Sequence, residues 1–177
     1  MPGGSRGLLG VSDHPFPPAQ AYARISFDFS TRVFQRLLVK AFHRLNGYIF
    51  TLEIEDAYCR IEAGIAEGGS FISIGQEEVA RFEQQARFKI LPYMDFLVHA
   101  AYWRILDNGK ARPLWGDLQR VRVVFVEEGS AELQICHLKG TRRMPLNDLI
   151  MLILQHLEKE VDKAKLAPIE VKEVRGH

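Results

Sequence analysis

Leu146-Asn-Asp-Leu-Ile-Met-Leu-Ile-Leu-Gln-His-Leu-Glu-Lys-Glu-Val-Asp-Lys-Ala-Lys-Leu166 is the stretch around which the rest of the chain is organised. At about 3.6 residues per turn, Leu146, Leu149, Ile150, Ile153, Leu157, Val161 and Ala164 fall on one broad stripe. Met151 and Leu152 add apolar surface on other sides of the first half. A helix apolar all round is buried from more than one direction. Past Leu157 the stripe narrows between Glu158, Lys159, Glu160, Asp162, Lys163 and Lys165. Two readings follow. One is an ordinary core helix with a frayed end. The other is a helix that packs on its own domain and then projects, offering the heptad-like series Leu146, Ile150, Ile153 and Leu157 to a second copy as a zipper.

The chain has 177 residues and 47% apolar content, which predicts one domain, residues 21–145, with an oligomerisation helix at 146–166. A formal net charge of +1 excludes an overall basic protein without excluding a basic patch. The two cysteines, Cys59 and Cys136, lie far apart in strand-like runs and fit neither a disulfide framework nor a zinc site. No apolar run reaches the ~18 residues needed to span a bilayer. Residues 1–20 lack the apolar core of a signal peptide, so a cytoplasmic location is expected. The balance of 15 Arg against 8 Lys, with only three Asn, hints at a thermophile.

Taken in order, residues 1–20 are rich in Pro and Gly and predict a disordered leader. Ala23, Ile25, Phe27 and Phe29 alternate as in a strand. Ser30 then caps a predicted helix ending at Asn46-Gly47. Its apolar arc is Val33, Phe34, Leu37, Leu38, Ala41, Phe42 and Leu45, and its polar arc carries Arg32, Arg36, Lys40, His43 and Arg44 with no acid. Such a face repels itself unless something acidic covers it. The chain's own acidic strands and a polyanion are both open. Residues 48–74 read as a strand meander with an acidic run from Glu53 to Glu62. Gln76 to Leu91 reads as a helix with Val79, Phe82, Ala86 and Ile90 inward. Phe88 lies on its polar side, either as a stacking platform or against a neighbouring helix or subunit. Tyr93 to Leu106, apolar almost all round, reads as the central buried helix with Trp103 in the core. A loop from Lys110 to Asp117 carries Arg112 and Trp115. A hairpin of residues 119–127 and 131–138 follows, with Arg120 and Arg122 on one face. Arg142 and Arg143 precede the last helix, where free N–H groups and cations converge on an anion. Residues 167–177 read as a flexible tail.

The histidines show no HExxH or paired spacing, no glycine-rich phosphate loop follows a strand, and no GxSxG elbow occurs. Neither a metal nor a cofactor is indicated. No acid stands isolated in an apolar segment, so an enzyme is the least favoured class. Asp95 is the nearest case, and it reads as the cap of the helix after Pro92. What remains is cations interleaved with aromatics: Phe42 to Tyr48, Arg81 to Lys89, Tyr102 to Arg104, Arg112 to Trp115. Bases stacking on aromatics while cations track phosphates is what binding of single strands requires.

A proline-rich leader, a strand-and-helix core rich in aromatics and arginine, and a terminal zipper-like helix resemble ThermoDBP and its related proteins, archaeal binders of single-stranded DNA. The resemblance implies an antiparallel sheet cupped with helices, dimers or tetramers through the last helix, and binding to single strands. The expected fold is therefore α+β, an antiparallel sheet with helices packed on one side and a long C-terminal zipper-like helix. The expected function is binding of single-stranded DNA, or RNA, without base-sequence specificity, through Arg36, Lys40, Arg44, Phe88, Arg112, Trp115, Arg120, Arg122, Arg142 and Arg143. The alternative is a non-catalytic oligomeric scaffold or transcription-associated protein whose basic helix meets an acidic protein partner.

Overall fold

Alternating apolar and polar residues govern more of this chain than helical periodicity does. The computed structural model describes residues 7–53 and 56–176. Its strands are β1 (Ala21–Ser26), β2 (Ile49–Leu52), β3 (Ala57–Glu67), β4 (Ser70–Ser73), β5 (Tyr93–Ile105), β6 (Ala111–Glu127), β7 (Ser130–Gly140) and β8 (Glu170–Arg175). Its helices are α1 (Thr31–Leu45), α2 (Gln76–Ala86) and α3 (Leu146–Lys163). The eight strands form one sheet in the order β2-β3-β5-β6-β7-β1-β8, with β4 on β3 and every named pairing antiparallel. The sheet curls into a half-barrel around the helices.

The register explains the core. Cys59, Ile61 and Ala63 of β3 lie beside Tyr102, Ala100 and Val98 of β5, and Phe96 and Met94 lie beside Val121 and Val123 of β6. Ile135 and Leu133 of β7 continue the inner face to Ala21 and Ala23 of β1. Helix α1 lies against this surface, with Phe42 stacked on Phe96 at 3.8 Å between centroids and 4° between planes. The Ser30 side chain caps α1 by accepting from the Val33 amide at 3.2 Å.

Several expectations are corrected here. The zipper-like terminal helix does not exist as such. Leu146, Ile150, Ile153 and Leu157 are at most 1% exposed, because α3 packs on α1 and β1 of its own chain. The four side chains assigned to oligomerisation are core, and the fold is mostly sheet with three short helices. Tyr93–Leu106 is not a helix but the 13-residue strand β5. A strand with apolar residues on both faces and a helix apolar all round carry the same signature. The β-branched and aromatic content of this run, from Tyr93 to Trp103, fits a strand. Trp103 is only half-buried and stacks on Tyr58 on the outer face, at 5.6 Å and 13°, while Tyr102 points into the core. The loop 110–117 is the start of the 17-residue strand β6.

The leader is ordered from Gly7 on, Met1 to Arg6 lying outside the described residues. Beyond Ala63, β3 leaves β5 to pair with β4, and the leader fills the fork. The Gly10 amide donates to Ala66 O at 2.7 Å, and its carbonyl accepts from the Asp95 amide at 2.6 Å. Leu9 is 1% exposed. The expected flexible tail is instead β8, an edge strand whose Tyr22, Ala23 and Arg24 partners are Arg175, Val174 and Glu173.

Candidate nucleic-acid interface

The ten residues singled out for nucleic-acid binding separate into four places. Arg36, Lys40 and Arg44 sit on α1 as its periodicity implies, but each faces one of the chain's own acids. Glu83 of α2 lies 3.7 Å from Arg36 and 3.2 Å from Lys40, and Glu160 of α3 lies 3.1 Å from Arg44. The covering acids come from the two neighbouring helices rather than from the acidic strands, of which Ile54 and Glu55 lie outside the described residues. A groove of about 490 Å³ runs between the three helices and holds both signs of charge. Two acids thus answer three cations of this face, which weakens the physical reason for assigning it to a polyanion.

Arg120 and Arg122 are committed more deeply. Asp95 is fully buried on the outer face of β5, and it accepts from Arg122 Nε at 2.7 Å and Nη2 at 3.0 Å. Arg120 Nη2 stands 3.5 Å from the same carboxylate and donates to His14 O at 2.9 Å, while Nη1 donates to Pro15 O at 2.8 Å. The Ser12 amide completes the site at 3.2 Å. Phe16 lies over both guanidinium groups, and Tyr93 lies 4.1 Å from that of Arg122. These arginines bind the leader. Asp95 is their counter-ion and not the helix cap expected of it.

Phe88 is 88% exposed just past α2, near the start of β5. Arg112 and Trp115 lie toward the far end of that strand pair, opposite Arg104 and Ala101, roughly 25–35 Å from Tyr93 at about 3.3 Å per strand residue.

That far end gathers the remaining residues. The hairpin register puts Arg104 beside Arg112, Trp103 beside Pro113 and Tyr102 beside Leu114. A β-bulge follows, in which Trp115 and Gly116 oppose Ala101 alone. Trp115 emerges 80% exposed. The bulge needs glycine: a Cβ on Gly116 would lie 2.5 Å from Ala100 O. Thr141 donates its amide to Gly116 O at 3.2 Å, which carries the β7–α3 link past the bulge. Lys110, Arg112, Lys139 and Arg142 are all exposed here, and no carboxylate of the described residues lies within 4 Å of any of them. Arg143 is half-buried, its guanidinium 5.9 Å from the Tyr102 ring centroid.

No family model, curated protein or solved structure matches this chain.

Under the basic end lies a buried polar cluster that sequence reasoning missed. Asp117 is 2% exposed, and Tyr102 donates its hydroxyl to it at 3.3 Å. Burial raises the Asp117 carboxyl above the usual range, and His137, Tyr102, Gln119 and His99 offset only part of the effect. Burial and the nearby Asp117 charge also raise the Tyr102 hydroxyl and push the Cys59 thiol up to about 12. A thiol so raised is no nucleophile at neutral pH. The signal for Asp117 was its inward parity with Gln119 and Val121, hidden while residues 110–117 read as a loop. Among the described residues no group of three or more His, Cys, Asp or Glu is placed to hold a metal ion.

Proposed function

We propose that the chain binds single strands of nucleic acid at the end of the sheet formed by the β5–β6 hairpin and the β7–α3 link. The observation that carries this reading is the concentration of Lys110, Arg112, Lys139 and Arg142, none paired with a described carboxylate, at the end of the sheet that leaves Trp115 80% exposed. Like charges brought together this way repel one another, and a polyanion relieves the repulsion. An exposed indole gives a base a face to stack on, which a duplex does not offer it. The stack of exposed Tyr58 on half-buried Trp103 on the outer face adds aromatic surface at the same end. Cations tracking phosphates and a ring stacking on any base are sequence-tolerant, so binding is expected without sequence preference. Acids at the same end temper the field: Asp107 in the hairpin turn, Asp56 just before β3, whose Tyr58 lies beside Trp103, and Glu53 and Asp148 in the groove that Arg143 lines.

The test is a salt series of binding to labelled oligo-dT and to duplex DNA of equal length. Oligo-dT is expected to bind more tightly and to quench tryptophan fluorescence. Arg112→Glu with Arg142→Glu is expected to weaken binding and flatten the salt dependence, by about 0.7 in log–log slope for each phosphate no longer neutralised. An unchanged slope and affinity in this variant would refute the assignment. Equal binding of the duplex would leave attraction to phosphate without stacking.

A further inference from the structure

The end of the molecule opposite the hairpin carries the other concentration of exposed apolar side chains. Phe88 is 88% exposed, Val126 70% and Ile90 47%. Ile90 and the strand that carries Val126 meet there, and Phe88 lies two residues before Ile90. Phe125 donates its amide to Pro92 O at 3.1 Å, and Ile90, Pro92, Phe125 and Glu127 line one hollow of about 310 Å³. The floor is rigid, since Phe34 stacks on Phe27 at 4.2 Å and meets Phe125 edge-on at 5.9 Å.

The rim carries both signs of charge without joining them. Arg87 and Lys89 flank Phe88, and Glu127 follows Val126; all three are exposed. No described carboxylate lies within 4 Å of Arg87 or Lys89, and no described cation lies within that distance of Glu127. Elsewhere the chain pairs its helical charges at 3.1–3.7 Å. An exposed apolar centre with unjoined charges of opposite sign on its two margins is complementary to itself. Turned over by a two-fold rotation, each margin meets its opposite. A binding site for a partner of one charge would instead carry one sign.

We propose that this end is the contact between two copies of the chain, with Phe88, Ile90 and Val126 of each at the centre and Lys89 of each facing Glu127 of the other. It uses none of the residues assigned to the nucleic-acid interface, so either assignment stands without the other. It also replaces the terminal helix as the surface for self-association, since the stripe of that helix is spent inside the chain. Apolar patches rimmed by polar groups mark such contacts, and aromatic side chains dominate their affinity.

Sedimentation over a range of concentrations is expected to show a monomer–dimer equilibrium for the unmodified chain. Phe88→Glu is expected to give a monomer that melts as the parent does, because the ring touches little of its own fold. Val126→Glu, on the strand side of the centre, is expected to do the same. Lys89→Glu and Glu127→Lys are each expected to raise the dimer Kd by roughly tenfold or more, as for charge pairs at an interface. Mixed in equal amounts, those two variants are expected to dimerise again, because each copy then supplies what the other lacks. A parent chain that stays monomeric, a dimer that survives Phe88→Glu, or a mixture that fails to recover would each overturn the proposal.

Discussion

The two halves of β6 carry the same residue type to opposite ends. Arg120 and Arg122 lie in its middle, their side chains 6% and 17% exposed, closed on a carboxylate that is 0% exposed. Arg112, at the hairpin end of the same strand, faces solvent with no described carboxylate within 4 Å. An arginine's chemistry is constant, but its availability is decided by what the neighbouring strand brings opposite it. β5 brings Asp95 to Arg122 and Arg104 to Arg112. A cation beside a buried acid holds structure together; Arg112, exposed and with no described carboxylate in reach, is left to seek an anion from outside.

The largest test of this contrast is Asp95→Ala. It leaves two nearly buried guanidinium groups facing each other and is expected to cost ~3–5 kcal/mol of stability by chemical denaturation. The leader should become accessible to protease at the same time. A loss below ~1 kcal/mol, the range of an exposed pair, would mean that the clamp is no stronger than a surface contact. At the other end, Trp115→Ala is expected to leave stability unchanged and to remove ~1–3 kcal/mol of oligo-dT affinity. Equal affinity would confine the interface to its charges.

Asp117 supplies a pH test between the two halves. Its folded pKa is raised, so the folded chain holds this proton more tightly than the unfolded one does. The stability contributed by the protonated form is complete below the unfolded carboxyl pKa. It declines as pH rises from there through the folded value. Asp117→Asn should remove that decline, and a denaturation series across acid to neutral pH would show it as a flatter curve. A variant with the parent's slope would assign the titration elsewhere. The smallest effect belongs to α1. Lys40→Ala, which removes a half-exposed pair with Glu83, is expected to cost no more than ~1 kcal/mol and to leave oligo-dT binding as it was. Weakened binding there would restore the basic helix face to the interface.

How much of this was legible follows from what each residue's surroundings contribute. Helix α1 could be read because its arc is one-sided and its cap is local. The meander and the β6–β7 hairpin could be read because one face is buried and the other wet. β5 could not, because its outer face is also covered, in part by residues 9–16, which sequence places some 80 positions away. Taking β5 for a helix hid two facts at once. Asp95 could not be seen opposite Arg122, and Asp117 could not be seen pointing inward. The stripe of α3 was visible, but periodicity alone does not say whether the surface that buries it belongs to the same chain. Here it does, through α1 and β1. Of the proposed interface, Arg112, Trp115 and Arg142 were evident by type, whereas what brings the segment of Arg142 to the Trp115 end of β6 is the Thr141–Gly116 hydrogen bond across the bulge.

The position of β1 sets the order in which the chain can be completed. Both of its neighbours, β7 and β8, lie more than a hundred residues further along. The leader's seat on Asp95, Arg120 and Arg122 likewise comes from the second half. On a ribosome, which delivers the chain from its N-terminus, Ala23, Ile25 and Phe27 therefore emerge long before any strand exists to pair with them. Loop closure over such distances is slow, and unpaired apolar strands are exposed to other chains in the interval. A segment made before its partners is among the last to be seated, so nascent chains released before β7 is made are the form of this protein most prone to aggregate.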